Sequence, residues 1–441
     1  MYLVWTCLGE PLDSQDGKVN TGTTIPGTQG EAASAPGGRA NTAIDLLDQW
    51  IRGEFVDLNT KLEEAYFSAR SEVLTDRPDL DELKQAIVRE GSKLISQIAD
   101  EGKLPVSPQE RYELLGLVGF YLAACRRHEA DLPGGVNAGA LSPAWSLAGL
   151  LGASLGVAPR YVFAHQSLFN PSVRDIYRTF TALDDERVFI TANGLAVLAY
   201  QRAAAALRRI PAMGVSSPLA TYLFEDARAA LDDVLRFNRT LSETLNVDRF
   251  FFNIRPYFKT YRVGDAEYRG ANAGDFAAIN EIDLLLGVCS ARDPFYQHVL
   301  AEKYAYVPPE DQSRLRSAVS GGTLLDSFLR EAALGPLTPQ FRHNTELFLA
   351  ICRAHGAAYT FHHHKLVKPF LEAPAGTEPQ GQARGITASG PPLEAVISGL
   401  ARLSDLRAAR DRSGLSTARA SLNRLGNLLA HDGGANGGSE Q

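Results

Sequence analysis

Sulfur is scarce in this chain of 441 residues: it has four cysteines, Cys7, Cys125, Cys289 and Cys352, and two methionines. The cysteines are far apart, with no C-x-x-C and no C-x-x-C-H, which excludes a dithiol redox pair and a standard c-type haem attachment. So few cysteines fit a reducing cytoplasm. No basic block stands out. With 44 Lys and Arg against 51 Asp and Glu the net charge is -7, which argues against nucleic acid as a partner. No apolar run reads as a membrane span: residues 114–125 are too few, and residues 147–158 contain three glycines and a serine. The opening apolar run, Tyr2 to Leu8, lacks a basic n-region and is too short for a signal peptide. No segment alternates convincingly as a strand does. There is no G-x-G-x-x-G, P-loop, G-x-S-x-G or internal repeat. These absences predict a soluble, cytoplasmic, helical protein that uses neither membrane nor nucleic acid.

Apolar residues spaced for helices make up most of the chain. Hydrophobic residues are 45% and charged residues 22%, ordinary for a globular protein, and the length suits two or three domains. Residues 1–40, rich in Gly, Ser, Thr, Ala and Pro, read as a disordered arm. Asn41 is a candidate N-cap for the first helix. Residues 41–158 read as a small helical domain, with loop glycines at Gly134 and Gly135, and residues 159–430 as a larger helical one. Within the larger domain 371–392 is a mobile loop, and 431–441 is a glycine-rich tail.

One stretch, Leu347 to Phe370, organises the rest. Leu349, Cys352, Gly356, Tyr359, His363, Leu366 and Phe370 recur every three or four positions and form one stripe of a helix. Of the three consecutive histidines, His363 lies on the stripe, while His362 and His364 point to either side and are partly solvated. A histidine on such a stripe is either a hydrogen-bonded core residue or an axial ligand to haem iron, which needs a neutral imidazole in an apolar wall. Zinc ranks last, because three consecutive imidazoles cannot converge on one ion.

Several stretches together resemble the monodechloroaminopyrrolnitrin synthase family, within the superfamily of indoleamine and tryptophan dioxygenases. They are His165-Gln166-Ser167-Leu168-Phe169-Asn170-Pro171, Leu183-Asp184-Asp185-Glu186, Ile254-Arg255-Pro256-Tyr257-Phe258, Tyr261-Arg262-Val263-Gly264, Tyr268-Arg269-Gly270 and His363-His364-Lys365-Leu366. Asp283-Leu284-Leu285-Leu286-Gly287 and Thr387-Ala388-Ser389-Gly390 are similar to segments of the dioxygenases. The resemblance covers roughly residues 105 to 410. It implies an all-α, two-domain fold in which a small helical cap covers a larger domain holding non-covalent haem b. The implied activity is that of an oxidoreductase using O2 or peroxide on a tryptophan-like or other aromatic amino acid in secondary metabolism. Ring cleavage of the dioxygenase type, or haem binding without turnover, are the alternatives.

The resemblance also implies roles. His363 becomes the axial iron ligand. Arg255 corresponds to the arginine that clamps the substrate carboxylate, a task suited to a guanidinium fork, and Phe250 and Phe251 supply an aromatic wall. Asn272, Ala273 and Gly274 form a small-residue segment near the haem edge. Thr387, Ser389 and Gly390 belong to a loop that closes over substrate. Phe189 and Asn193 fall near the distal pocket. Asp283 matches a family aspartate whose arginine partner, one turn before the histidine, is replaced here by Thr360. The charge of a propionate is then left to Lys365, Arg384 or Arg407.

Overall fold

The computed structural model describes residues 42–131, 137–272, 276–369 and 393–432. The expected arm 1–40, Asn41, Gly134 and Gly135, the 371–392 loop and the chain beyond residue 432 lie outside the described residues. The fold is all-α. Its helices are α1 (Ala43–Arg52), α2 (Glu54–Ala69), α3 (Pro78–Glu101), α4 (Pro108–Arg127), α5 (Ala138–Leu155), α6 (Phe163–Ser167), α7 (Asp184–Arg209), α8 (Pro218–Thr244), the single turn α9 (Val247–Arg249), α10 (Ala277–Leu286), α11 (Pro294–Lys303), α12 (Pro309–Ser320), α13 (Leu324–Ala332), α14 (Pro339–Phe361), α15 (Leu393–Arg407) and α16 (Arg419–Asp432). The only strands among the described residues are β1 (Tyr261–Val263) and β2 (Ala266–Tyr268), an antiparallel hairpin. Three residues a strand are too few to give a visible period of two, so the sequence does not announce it.

Helix starts follow local chemistry. Thr42, not Asn41, caps α1: its side chain accepts the Asp45 N–H, and the Asp45 carboxylate accepts the Thr42 N–H, a closed capping box. Ser217 and Thr338 cap α8 and α14, each followed by proline at the first helical position. Gly287 ends α10 at φ 81°, and a Cβ there would lie 2.9 Å from Thr323. Glycine is required at this position on both counts.

Two large hydrophobic cores and a small cluster of Ala277, Val307 and Leu315 fill the described residues. The first is built from α1 to α6 and from an aromatic group that includes Phe180, Phe250, Tyr257 and Phe258. The second gathers the C-terminal half of α7 with α8, α10, α11 and α13 to α16. α4 is buried around nearly its whole circumference, as expected of a helix apolar on every side. Among the described residues, α5 is the one helix long and apolar enough to cross a membrane. Its Leu141, Leu147 and Leu151 are buried in the first core, and the helix packs on α3 and α4. In the second core α7 packs along α8, and α8 along α14. The histidine-bearing stripe is largely buried, with Cys352, Gly356, Tyr359, His363 and Leu366 all interior.

Candidate functional site

A cavity of about 520 Å³ opens between the 189–200 stretch of α7, the end of α8, α11, α15 and two segments in which the helix widens into a π turn. The π turns span Phe250–Ile254 and His362–Val367. A π turn holds an extra residue against the α-helix and re-aims the side chains beyond it, and such turns recur at functional sites. Here both contribute to the wall of one cavity. The first ends where Pro256, lacking an N–H, cannot continue the ladder, and the chain passes into a 3-10 turn, Arg255–Phe258.

The first π turn and its neighbours supply the aromatic side. Phe189 and Phe250 line the cavity with ring centroids 4.6 Å apart. Phe163 and Phe258 extend the same wall. Arg255 also lines the cavity, with its guanidinium carbon 4.9 Å from the Phe251 ring centroid, a distance at which the ring face attracts a cation. The backbone here is clamped from the first core. Arg127 donates to the Phe252 carbonyl at 3.2 Å and grips Glu63 with two bonds of 2.7 and 2.8 Å. Asn253 donates to the same Glu63 carboxylate at 3.0 Å.

The opposite side carries the histidines. Sequence spacing predicts an unbroken α-helix from 347 to 370; the backbone is α only to Phe361 and then opens into the second π turn. Tyr359, His362, Leu366 and Val367 line the cavity. His363 is buried, 5% exposed, and its ring centroid is 4.9 Å from that of exposed His364. His362, expected to point aside, is therefore the triplet's cavity-lining imidazole, because the wider turn changes which side chains share a face.

Behind this wall Asp283 is fully buried. Its carboxylate accepts His355 Nε2 at 2.6 Å, Tyr296 Oη at 2.8 Å, and Arg407 Nε and Nη2 at 2.9 and 2.8 Å. Burial alone would raise the Asp283 pKa, but Arg407 and His355 outweigh it and hold the carboxyl down to about 2. Arg407 comes from the end of α15 and stacks 4.0 Å over Tyr359. Its approach depends on Gly356, where a Cβ would meet the Ala408 Cα at 2.8 Å and the Arg407 carbonyl at 2.9 Å. Thr360, which takes the place of the family arginine, pairs with Ser404 on α15 at 3.2 Å. The arginine that meets Asp283 thus arrives from a different helix.

Of the residues singled out from sequence, Phe189, Asn193, Phe250, Arg255 and Asn272 line the cavity together, Asn272 from an exposed position. Phe251 stands behind Arg255, Asp283 lies behind the histidine wall, and His363 is next to cavity-lining His362. Ala273, Gly274, Arg384, Thr387, Ser389 and Gly390 lie outside the described residues. Lys365 is exposed and Arg407 is committed to Asp283. The motifs His165–Pro171 and Leu183–Glu186 meet each other, not the cavity: Gln166 donates to the buried Glu186 carboxylate at 2.9 Å. Cavity residues that no motif marked include His298, Glu302 and Lys303 on α11. Against known families, the sequence model described as monodechloroaminopyrrolnitrin synthase PrnB matches residues 41–429.

Proposed function

The chain therefore belongs to the monodechloroaminopyrrolnitrin synthase family of oxidative enzymes, and from that premise we propose that it is a haem b-dependent oxidoreductase. Its substrate is a tryptophan-like aromatic amino acid, and its oxidant O2 or peroxide. The observation that carries this reading is the cavity itself. Its volume lies within the about 300–1,000 Å³ of small-molecule and cofactor sites, its lining is mostly apolar and aromatic, and an imidazole-bearing π turn forms one side. No group of three or more His, Cys, Asp or Glu among the described residues could hold a bare metal ion, whereas haem iron asks for a single axial imidazole from the protein. A cavity of this size and lining beside the histidine turn supports haem as the bound group.

We assign His363 as the axial ligand from its correspondence with the family segment; it is buried next to His362, the triplet's cavity-lining imidazole. Bound haem iron would supply the centre at which the oxidant is activated. The protein's part is binding and orientation. Arg255 holds the substrate carboxylate through its planar fork, with Phe251 packed against the guanidinium. Phe189 and Phe250 face the aromatic ring, and Asn193 and Asn272 offer amides to polar substituents. Asp283 supports the ligand from behind by fixing α14 through His355.

The test is an absorption spectrum of purified protein titrated with haem, then with L-tryptophan. A Soret band that shifts with tryptophan is expected. His363→Ala should abolish the band while His362→Ala and His364→Ala keep most of it, and Arg255→Ala should weaken the tryptophan-induced shift about tenfold or more. Failure of the wild-type protein to take up haem overturns the proposal. Loss of the band in His362→Ala alone transfers the ligand role to the cavity-lining imidazole.

A further inference from the structure

Six asparagines are buried among the described residues, and five of them are hydrogen-bonded within the protein. Asn59 bonds His128 Nε2 at 2.7 Å, and Asn170 exchanges bonds with the Arg178 backbone at 2.8 and 2.9 Å. Asn253 donates to Glu63 at 3.0 Å, Asn280 to Tyr296 at 3.0 Å and Asn344 to the Val215 carbonyl at 2.8 Å. The sixth, Asn238 on α8, is 2% exposed, and its amide has no hydrogen-bond partner among the described residues. It is also the one of the six that lines the cavity, so what little surface it keeps opens there. A buried amide left unpaired costs stability, and native proteins keep few of them. On the wall of a ligand-sized cavity such a group is accounted for when the occupant supplies its partner.

The surroundings narrow what that partner is. Asn238, Leu241 and Leu245 line the cavity from one face of α8, at intervals of three and four, so the amide's lining neighbours along the helix are aliphatic. A carboxamide is neutral and offers an acceptor oxygen and two N–H donors. In an apolar stretch it suits a neutral N–H on an aromatic ring better than a carboxylate or ammonium, which need a charged partner to leave water. We infer that Asn238 is a specificity-determining residue whose carbonyl oxygen accepts a ring N–H of the aromatic occupant. The inference rests on the tryptophan-like occupant proposed above. An occupant whose ring lacks that donor leaves the amide unpaired in the complex and is rejected for that reason.

The test compares wild type with Asn238→Leu, which keeps the size of the side chain and removes the amide. L-Tryptophan and 3-benzothienyl-L-alanine, in which sulfur replaces the ring N–H, are titrated into each haem-loaded protein and followed by the spectral shift. Urea unfolding of each haem-free protein is measured alongside. Wild type should bind L-tryptophan about tenfold or more tighter than the sulfur analogue. Asn238→Leu should bring the two within about threefold, chiefly by weakening tryptophan, and should be at least as stable as wild type because it removes an unpaired polar group. Wild type without a preference, or a variant that keeps the wild-type preference, overturns the role of Asn238. A variant that is less stable than wild type, or that does not fold, makes the amide a structural group and overturns the role as well. These outcomes leave the cavity reading intact. Wild-type protein that takes up no haem, or binds neither amino acid, overturns both.

Discussion

Each side of the cavity is braced by one fully buried carboxylate–arginine pair, and the two pairs work differently. Glu63 and Arg127 belong to the first core, Asp283 and Arg407 to the second. Arg127 reaches past its partner to the Phe252 and Glu72 carbonyls, so the first pair holds the backbone of a π turn directly. The second pair touches no π-turn backbone through the bonds described above. It fixes His355 and packs over Tyr359, up to two helical turns ahead of the histidines, and it forms only because Gly356 lets α15 come close. One side is gripped at the site, and the other is set by how two helices dock. Polar brackets of this kind stabilise little in net terms but are costly to break from one side.

The largest effects should come from cutting each pair singly. Arg127→Met and Arg407→Met each leave a buried carboxylate without its arginine and should each lose about 3–5 kcal/mol in urea unfolding. They should part company in binding. Arg407→Met is expected to impair haem uptake more than tryptophan recognition, and Arg127→Met the reverse. Identical binding profiles would erase the distinction between the two brackets. Next in size, Gly356→Ala should cost about 1–3 kcal/mol by forcing α15 away and should reproduce the binding defect of Arg407→Met in milder form. A variant as stable as wild type would mean that helix docking tolerates the methyl group.

A third way to sharpen the contrast is pH. With its pKa lowered from 3.8 to about 2 in the folded chain, Asp283 binds protons less readily folded than unfolded. Its contribution is therefore present above pH 4 and lost as pH falls through about 2. The amount is on the order of 2 kcal/mol. The acid limb of the stability profile should be shallower in Arg407→Met by about that amount. An unchanged limb would show that the second bracket does not titrate as its geometry requires.

What the chain order alone decided is substantial and local. Apolar spacing made the elements helical, and capping residues such as Ser217 and Thr338 fixed where they start. Similar segments pointed to the family, and Phe189, Phe250 and Arg255 to the cavity. The helices and their starts follow from neighbours a few positions apart, where side-chain spacing and backbone chemistry act directly; the family and the three cavity residues came from the resemblance. Three features were decided only by tertiary packing. The π turn at His362–Val367 placed His362 on the wall where an ideal helix favoured His363. The arginine for Asp283 came from α15 because Gly356 left room for it. Lys303 entered the cavity from a helix with no motif. Each depends on contacts between residues tens to hundreds of positions apart, and no local period or spacing encodes which helices meet or how closely.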